Sequence, residues 1–413
     1  MGLGITVEFL GSRAFADSES ALAKRKLVVI VARGGLDGLS LSPPVGDPNY
    51  AALRGSIALA PFGEAGGALK LDGDFGLHPV LSATHRLAMK GEARIAPAVA
   101  TPDRERSHFE AQDVLESGAS TVYGSTSGWL NRALEAMGPA GKVKAMSVGA
   151  AAPLILRGRI EAASWAPGGG SQSDPRLPAI LQDLYAGDPL LGPALAAGLA
   201  TQAMAGIANR SAAAEIARAP GTGGQANGAG ASAPNKPPPR QETAQARRLG
   251  ATLAGFMTQP GGAQVAAVVI DGFDTHAGQG AATGRLATRL AYVDAFVDGL
   301  STGLGGAWSD TVVVMATEFG RTARVNGTAG TDHGTASTAL LLGGALKKGG
   351  IVGDWPTLAQ AHLFENRDTA PTLDMRGLFK GVLRDHLGVD RARLDTLVFP
   401  GSAAAAPVAG LVA

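Results

Sequence analysis

The sequence of 413 residues predicts an α/β fold, a three-layer arrangement in which helices flank a mostly parallel central sheet. The prediction rests on three short apolar runs, rich in β-branched residues, at positions 27–32, 265–270 and 312–316. Each run ends in a polar, glycine-containing segment, and amphipathic helical patterns separate the runs. Because the carboxyl ends of parallel strands meet at one edge of a sheet, the residues that follow these runs are expected to lie close together.

The composition argues against several classes of function. The net charge is +1, basic residues are scattered and aromatic residues make up 5% of the chain, so nothing indicates nucleic-acid binding. The absence of cysteine excludes disulfides, thiolate metal ligands and a cysteine nucleophile. No run of 18 apolar residues predicts a membrane span.

The first 23 residues carry a hint about location. Residues 3–10 are mildly apolar, and Ala14-Phe15-Ala16 has the A-x-A form of a signal-peptidase site. No basic segment precedes the apolar run, and Glu8 interrupts it. We interpret residues 1–23 as the remnant of a truncated export signal or as a disordered N-terminus, which predicts a periplasmic or secreted protein. An accidental resemblance to a signal is the alternative.

The first half of the chain alternates strand and helix patterns. Residues 27–32 are a continuous β-branched run bounded by charge and then by glycine. Residues 77–90 carry an apolar stripe at helical spacing, which predicts an amphipathic helix. The other predicted elements are a short helix at 50–54, a strand at 94–100, helices at 108–116 and 129–137, and a strand at 143–150.

The second half contains a change in composition. Residues 178–218 are rich in Ala and Leu and predict helix, whereas residues 221–240 are of low complexity and predict an exposed linker. The later predicted elements are helices at 241–258, 281–304 and 373–387, strands at 265–270, 312–316 and 339–342, and a turn-rich hairpin at 349–356. We therefore predict a single α/β domain over 24–400, with a helical and low-complexity excursion at about 178–258. Residues 401–413 form a tail, frayed from residue 403 onward.

Acidic residues and histidines follow all three apolar runs. In chain order they are Asp37, Asp274, His276, Glu318, Asp332 and His333. Carboxylates combined with imidazoles suit Zn, Mn or Fe, whereas carboxylates alone suit Mg or Ca. The pattern therefore predicts one or two divalent cations at the edge of the sheet. The alternatives are an Asp-His pair hydrogen-bonded within a loop and an Asp37 that only caps the turn after the first strand.

Ser107 precedes the helix predicted at 108–116. With Glu110 it fits the capping box S-x-x-E, which explains the serine structurally. A serine at a helix N-terminus also lies where free backbone N–H groups bind phosphate or sulfate. The sequence leaves both interpretations open. His108, the next residue, is either a general acid or base or a packing residue.

Six motifs carry a resemblance to a known family. In order they are RGGLDGL, SHFEAQD, GFDTH, TEFGRT, GTDHG and GDWP. Over residues 26–388 the sequence resembles domain-of-unknown-function family 1501. The resemblance implies a fold similar to the alkaline phosphatase and sulfatase superfamily. It also implies a twin-arginine export signal, although the arginine pair is absent here.

The resemblance implies roles for single residues. Asp37 matches the first metal-binding Asp of the superfamily, and Ser107 matches its nucleophile at a helix N-terminus. Asp274 and His276 resemble ligands that the superfamily spaces further apart.

The remaining matches lie in the third segment. His333, preceded by Asp332, resembles the final histidine ligand. Glu318 stands where the superfamily has an Asp, and Phe319 stands where it has the adjacent His, which weakens a second metal site. Arg321 is either a bidentate clamp for the substrate oxyanion or the partner of a nearby acid in a salt bridge.

These residues predict a hydrolase or transferase that depends on one or two divalent ions (Zn, Mn or Mg). The substrate is a small-molecule phosphate or sulfate ester, attacked by Ser107. A formylglycine sulfatase is disfavoured because the C/S-x-P-x-R motif is absent. The alternative function, suggested by Phe319, is a non-catalytic phosphatase-like binding or accessory protein of the periplasm with a degenerate metal site.

Overall fold

The structure is a computed structural model that describes residues 24–138, 144–149, 152–166 and 239–413, together with Leu22 and isolated positions between 184 and 199. The predicted export remnant and most of the predicted excursion at 178–258 lie outside the described residues. Of that excursion, residues 239–258 are described and form one long helix.

A mixed sheet organises the fold. Its strands and those of a small hairpin are β1 (Lys26–Arg33), β2 (Leu69–Lys70), β3 (Gly76–Leu77), β4 (Ala93–Ala100), β5 (Ala145–Val148), β6 (Ala162–Trp165), β7 (Val265–Asp271), β8 (Thr311–Ala316), β9 (Ser337–Leu342) and β10 (Leu373–Asp374). Eight of them form the central sheet in the order β10-β4-β9-β8-β1-β7-β5-β6, and β2 pairs with β3. Only β9 runs antiparallel to its neighbours, β4 and β8, so the predicted mostly parallel sheet is confirmed.

Helices lie along the chain between these strands. They are α1 (Gly38–Leu41), α2 (Tyr50–Arg54), α3 (Ser82–Lys90), α4 (His108–Ser117), α5 (Trp129–Ala136), α6 (Pro239–Thr258), α7 (Arg285–Leu304), α8 (Met375–Leu387) and α9 (Arg391–Arg393). Short 3-10 segments occur at Gly55–Ile57, Leu154–Leu156, Gly305–Asp310 and Gln360–His362, and a π-helical turn at Leu394–Val398. None of the described helices combines the length and the apolar composition that a membrane span requires.

Alternate residues of β1 point into two separate cores, as the period of a strand requires. Val28 and Ile30 pack in the core that contains Leu253 of α6 and Leu290 of α7. Leu27 and Val29 pack in the opposite core, together with α5 and α8. Because both faces of the sheet are covered, its central strands are continuous apolar runs rather than alternating ones. The predicted three-layer α/β architecture is confirmed.

The pairing registers of the parallel strands place their carboxyl ends at the same edge of the central sheet. Val31 of β1 pairs with Ala316, the last residue of β8, and Arg33 pairs with Asp271, the last residue of β7. β4 runs in the same direction, since β9 is antiparallel to both β4 and β8. The segments that follow β1, β4, β7 and β8 therefore all emerge at this edge.

Two local predictions are wrong. Residues 349–356 do not fold into a hairpin; Ile351 instead bridges to Ile95, and Val352 N–H donates to the Ile95 carbonyl at 2.8 Å, so the segment lies along β4. The tail is not frayed, because Leu411 is fully buried and Ala413 N–H donates to Ala345 O at 2.9 Å.

One glycine shifts a predicted helix boundary, and another permits the C-terminal tail to pack closely against α8. The helix predicted at 281–304 begins only at Arg285, after Gly284, whose φ is 124°. On α8, a Cβ at Gly381 would come within 2.3 Å of the Val408 carbonyl oxygen, so only glycine lets the tail backbone approach this closely.

Candidate metal centre

The carboxyl edge of the sheet gathers the polar side chains that the sequence singled out. Asp274 lies three residues beyond β7, and Glu318 lies two residues beyond β8. His108 is the first residue of α4, which follows β4. His333 lies in the loop between β8 and β9. Four separate segments therefore supply one cluster.

Three side chains form the centre of this cluster. One ligand-type atom from each of His108, Asp274 and His333 lies within 4.8 Å of the other two. The Nε2 atom of His108 is 3.5 Å from Asp274 Oδ2, and the Nε2 atom of His333 is 3.4 Å from Asp274 Oδ1. His276 adjoins them, with its Nε2 atom 3.0 Å from Asp274 Oδ1 and 3.0 Å from His333 Nε2.

The other ring nitrogen of each histidine is held by an acceptor. His108 Nδ1 is 2.9 Å from Glu318 Oε1, and His333 Nδ1 is 2.9 Å from the Arg106 carbonyl oxygen. His276 Nδ1 is 3.3 Å from a carboxylate oxygen of Asp332. Because a carbonyl or an ionised carboxylate can only accept, we assign the proton to Nδ1 in each neutral ring. The unprotonated Nε2 atoms are then the ones directed at Asp274.

This arrangement fits a divalent cation. His108 Nε2 is buried and has no hydrogen-bond partner, which is a costly state for an unprotonated nitrogen. Two unprotonated Nε2 atoms 3.0 Å apart, those of His276 and His333, repel unless a proton or a cation lies between them. Imidazole nitrogens with one carboxylate are a ligand set suited to Zn, Mn or Fe. Carboxylate–histidine pairs of this kind orient ligands at metal sites.

Glu318 contacts His108 at Nδ1, the ring nitrogen that does not face Asp274. It is fully buried and accepts hydrogen bonds from the backbone N–H groups of Gly34 at 2.8 Å and Gly35 at 3.1 Å. Burial alone would raise the pKa of Glu318, but the hydrogen bonds from His108 and the backbone outweigh it and lower that pKa. The same hydrogen bond raises the pKa of His108. These contacts suit a carboxylate that orients His108, whereas the expected role of Glu318 as a metal ligand stays a prediction.

Arg321 is buried beside Asp274. Its guanidinium is buried, donates to the carbonyl oxygens of Gly35 at 2.7 Å and Thr331 at 3.0 Å, and forms an ion pair with Asp274. Burial opposes ionisation of Asp274, but the hydrogen bond and charge of Arg321, followed by the charge of His276, lower its pKa. The ion pair matches the salt-bridge alternative and fixes the carboxylate of Asp274, and the expected substrate clamp stays a prediction.

Asp37 does not join the cluster. Its carboxylate is buried, forms an ion pair with Arg54 and accepts from Gln279 Nε2 at 2.6 Å. It also caps α1, accepting from Leu39 N–H at 3.2 Å and from Ser40 Oγ at 2.9 Å. These donors match the turn-capping alternative, and the expected role of Asp37 as a metal ligand stays a prediction.

Phe319 occupies space beside two of the imidazoles. Its ring centroid is 4.9 Å from that of His108 and 4.6 Å from that of His333. A Cβ at Gly35 would meet the Phe319 ring at 2.4 Å, so Gly35 leaves room for the aromatic side chain. An apolar ring therefore stands where the resemblance implied a ligand of a second metal.

Ser107 and Arg106 lie at the start of α4. Ser107 holds the N-cap position, but its hydroxyl makes no capping hydrogen bond, contrary to the capping-box interpretation. Arg106 has a φ of 57°, an uncommon conformation for a residue with a side chain. Its guanidinium pairs with Asp368 at 3.0 Å, and its carbonyl accepts from His333. The strained turn thus holds His333 in place.

Asn326 is a residue that sequence reasoning missed. Its Nδ2 donates to the His276 carbonyl at 2.9 Å and to Asp332 Oδ1 at 3.0 Å. Its Oδ1 accepts from the N–H groups of Thr328 and Gly330, each at 3.0 Å. The Asn-Gly pair at 326–327 signals a turn, but no sequence rule shows that this amide joins the segment of His276 to Asp332. Asp332 thus lies between Asn326 and His276, and its expected role as a metal ligand stays a prediction.

Comparisons with known proteins identify the family to which the chain belongs. One solved structure to which the chain is similar is the C-terminal periplasmic domain of EcEptC from Escherichia coli, in complex with Zn. The sequence identity is 9% and the TM-score 0.31, and the match covers 77% of this chain and 72% of that chain. No curated protein matches the chain. The family model "Protein of unknown function (DUF1501)" matches residues 24–398, so the chain belongs to the DUF1501 family.

Proposed function

We propose that the protein is a metal-dependent hydrolase, or transferase, that acts on a phosphate or sulfate ester. One observation carries the proposal: three imidazoles have Nδ1 held by acceptors and Nε2 directed at, or lying beside, the carboxylate of Asp274. Such preorganisation is expected of ligands that share a cation, not of surface histidines. Residues far apart in the chain meet here at the carboxyl edge of an α/β sheet, where such proteins bind ligands.

We assign the ion to His108, Asp274 and His333, with His276 beside them. When bound, a divalent ion supplies positive charge to an ester oxygen and lowers the pKa of a coordinated hydroxyl or water. The protein's own part is to fix the imidazoles through Glu318 and the Arg106 carbonyl and to hold Asp274 through Arg321.

Ser107 is the proposed nucleophile. It directly precedes His108, and its hydroxyl is not used as a helix cap. The first N–H groups of the 10-residue helix α4 have no acceptors within the helix, which favours an anionic phosphoryl or sulfuryl group beside this serine. The family resemblance and the A-x-A segment support the further proposal that this single α/β domain works outside the cytoplasm.

Hydrolysis of p-nitrophenyl phosphate, bis-p-nitrophenyl phosphate and p-nitrophenyl sulfate, each with Zn²⁺ or Mn²⁺, tests the proposal. We expect Ser107→Ala to lower kcat by at least about 100-fold, since the covalent route is removed. The exposed Ser56 provides the control, and Ser56→Ala is expected to leave kcat unchanged. Undiminished hydrolysis by Ser107→Ala would exclude the serine as nucleophile.

A second candidate function is a non-catalytic metal-binding protein. The packing of Phe319 against His108 and His333 favours it, because this ring limits the site to the ligands of a single ion. Metal binding without turnover of any of the three esters would support this candidate over the hydrolase.

A further inference from the structure

A cavity of about 540 Å³ lies at the amino edge of the sheet, at the other end of the strands from the candidate metal centre. We call it the amino-edge cavity; its volume is in the range of pockets that hold small molecules. Among the described residues that line it, Lys24, Lys26 and Lys144 supply three ammonium groups and Asp310 supplies one carboxylate. Because the whole chain has a net charge of +1, this cavity concentrates positive charge.

Backbone pairing places two of these lysines near each other. The residue after Lys26 donates its N–H to the Gln264 carbonyl at 2.9 Å, and the Gln264 N–H donates to the Lys144 carbonyl at 2.8 Å. The two lysines are therefore two strand spacings apart, about 10 Å at the backbone. Val28 and Met146, two positions further along β1 and β5, both pack in the core that contains α6. Lys26 and Lys144 thus share the sheet face that α6 covers.

Lys26 is the buried member of the three. It is 9% exposed, and its Nζ donates to the carbonyl oxygen of Met257, in the last turn of α6, at 2.6 Å. Within the described ranges this is its one hydrogen bond, although an ammonium group has three N–H donors. Burial lowers the pKa of Lys26, and the charge of Asp310 opposes that shift. The contact with α6 therefore leaves most of the donor capacity of this buried cation for a ligand.

The other two lysines are exposed and are held by no counter-charge. In the part of the chain that the structure describes, none of the three ammonium groups forms an ion pair. A Cβ at Gly261, in the turn after α6, would be 3.3 Å from the Nζ of Lys144, so this ammonium group lies over the turn beside the cavity. Like charges around one cavity repel each other, and a bound anion would remove this repulsion.

We propose that the amino-edge cavity binds a small-molecule anion with more than one negative charge, carried by phosphate or by carboxylate groups. Ammonium groups act as point charges with rotatable donors, so they suit the oxygens of both kinds of group. The site is separate from the ester site proposed at the carboxyl edge. The inference therefore does not depend on the hydrolase.

Isothermal titration of the full chain with pyrophosphate, and separately with citrate, tests the inference at low ionic strength without added metal. We expect one of the two probes, or both, to bind at one site. Lys26→Gln should weaken that binding at least about tenfold and Lys144→Gln at least about threefold, since the first ammonium group is buried and the second is exposed. The matched control is Lys90→Gln, which removes an exposed lysine of α3 outside the cavity and should leave the affinity unchanged.

Asp310→Asn distinguishes anion binding from a structural role of the lysines. It removes the one carboxylate among the described lining residues, so we expect it to tighten binding about threefold. Damage to the fold would weaken binding instead. Lys144→Gln, which changes an exposed side chain, provides the test if Lys26→Gln does not fold.

Several outcomes would overturn the inference. Neither probe might bind, both lysine variants might bind as the wild type does, or Lys90→Gln might lose as much affinity as Lys144→Gln. His333→Ala, at the candidate metal centre, is expected to bind the anion normally. Loss of binding in His333→Ala with normal binding in Lys144→Gln would place the anion at the metal centre and exclude the amino-edge cavity. Tighter binding of pyrophosphate than of citrate would assign the site to phosphate-bearing ligands, and the reverse order to carboxylates.

Discussion

In each of His108, His276 and His333, Nδ1 is held by a hydrogen-bond acceptor of the protein and Nε2 points into the cluster. The committed contacts join residues that are far apart in the chain: His108 and Glu318 are 210 positions apart, and His333 and Arg106 are 227 apart. Sequence spacing predicted His276 and His333 as ligands because they follow strands. It did not predict the ligand position of His108, because the capping pattern at Ser107 explained that segment locally.

Asn326 provides a prediction at the scale of single residues. We expect Asn326→Ala to weaken Zn²⁺ binding about 10- to 100-fold, because its amide joins the His276 carbonyl to the carboxylate of Asp332. Isothermal titration of the metal-free protein with Zn²⁺ measures the change.

Asn49→Ala is the matched control, since Asn49 also makes side-chain and backbone contacts to an aspartate, Asp47, in a loop. Both variants lose loop hydrogen bonds, so both are expected to lose some stability. Equal Zn²⁺ affinity in the two variants would show that Asn326 stabilises only the loop.

At the scale of elements, α8 covers one face of the sheet through a buried histidine. His386 is 1% exposed, and its Nε2 lies 2.9 Å from the carbonyl oxygen of Lys26, the first residue of β1. Burial lowers the pKa of His386 to about 4, although the hydrogen bond to Lys26 opposes this shift. The ring is therefore neutral in the folded protein and donates from Nε2.

This depressed pKa predicts a loss of stability in acid. The ordinary pKa of about 6.5 applies to the unfolded chain. The contribution of His386 is complete above that value and is lost as the pH falls toward 4, since only the unfolded state then binds the proton readily. Between pH 7.5 and pH 5 we expect this group to lower the free energy of unfolding by about 2 kcal/mol.

Urea unfolding of the wild type and of His386→Gln at both pH values measures this contribution. Glutamine retains an amide donor near the Nε2 position and does not titrate. The decrease in unfolding free energy is expected to be smaller in the variant by about 2 kcal/mol. If the free energy of unfolding decreased equally in both proteins, His386 would be protonated in the folded state at pH 5, contrary to the prediction.

For the whole molecule, the three-layer architecture was easier to predict from the sequence than the position of the C-terminal tail. The apolar runs of β1, β7 and β8 are unambiguous because both faces of the sheet are buried, and the structure contains all three. The docked tail was missed because its composition is bland. The structure places it through the buried side chain of Leu411, the close approach to Gly381 and the hydrogen bond from Ala413 to Ala345.

The candidate site was less predictable for a physical reason. A carboxylate after a strand serves equally as a ligand, a cap or an ion-pair partner, and its partners decide which. Asp37 pairs with Arg54, whose role no local pattern indicates, whereas Asp274 pairs with Arg321 and remains 44% exposed. Only the tertiary structure distinguishes these two residues.

Metal binding tests the central claim most directly. Chelator-treated protein is titrated with Zn²⁺ and Mn²⁺, and the number of ions bound and their affinity are measured by calorimetry and elemental analysis. We expect the wild type to bind one ion, His108→Ala and His333→Ala to bind it at least about 100-fold more weakly, and His362→Ala, which changes a histidine outside the cluster, to bind it normally. A wild type that binds neither ion, or that binds one with unchanged affinity after His333→Ala, would contradict the account.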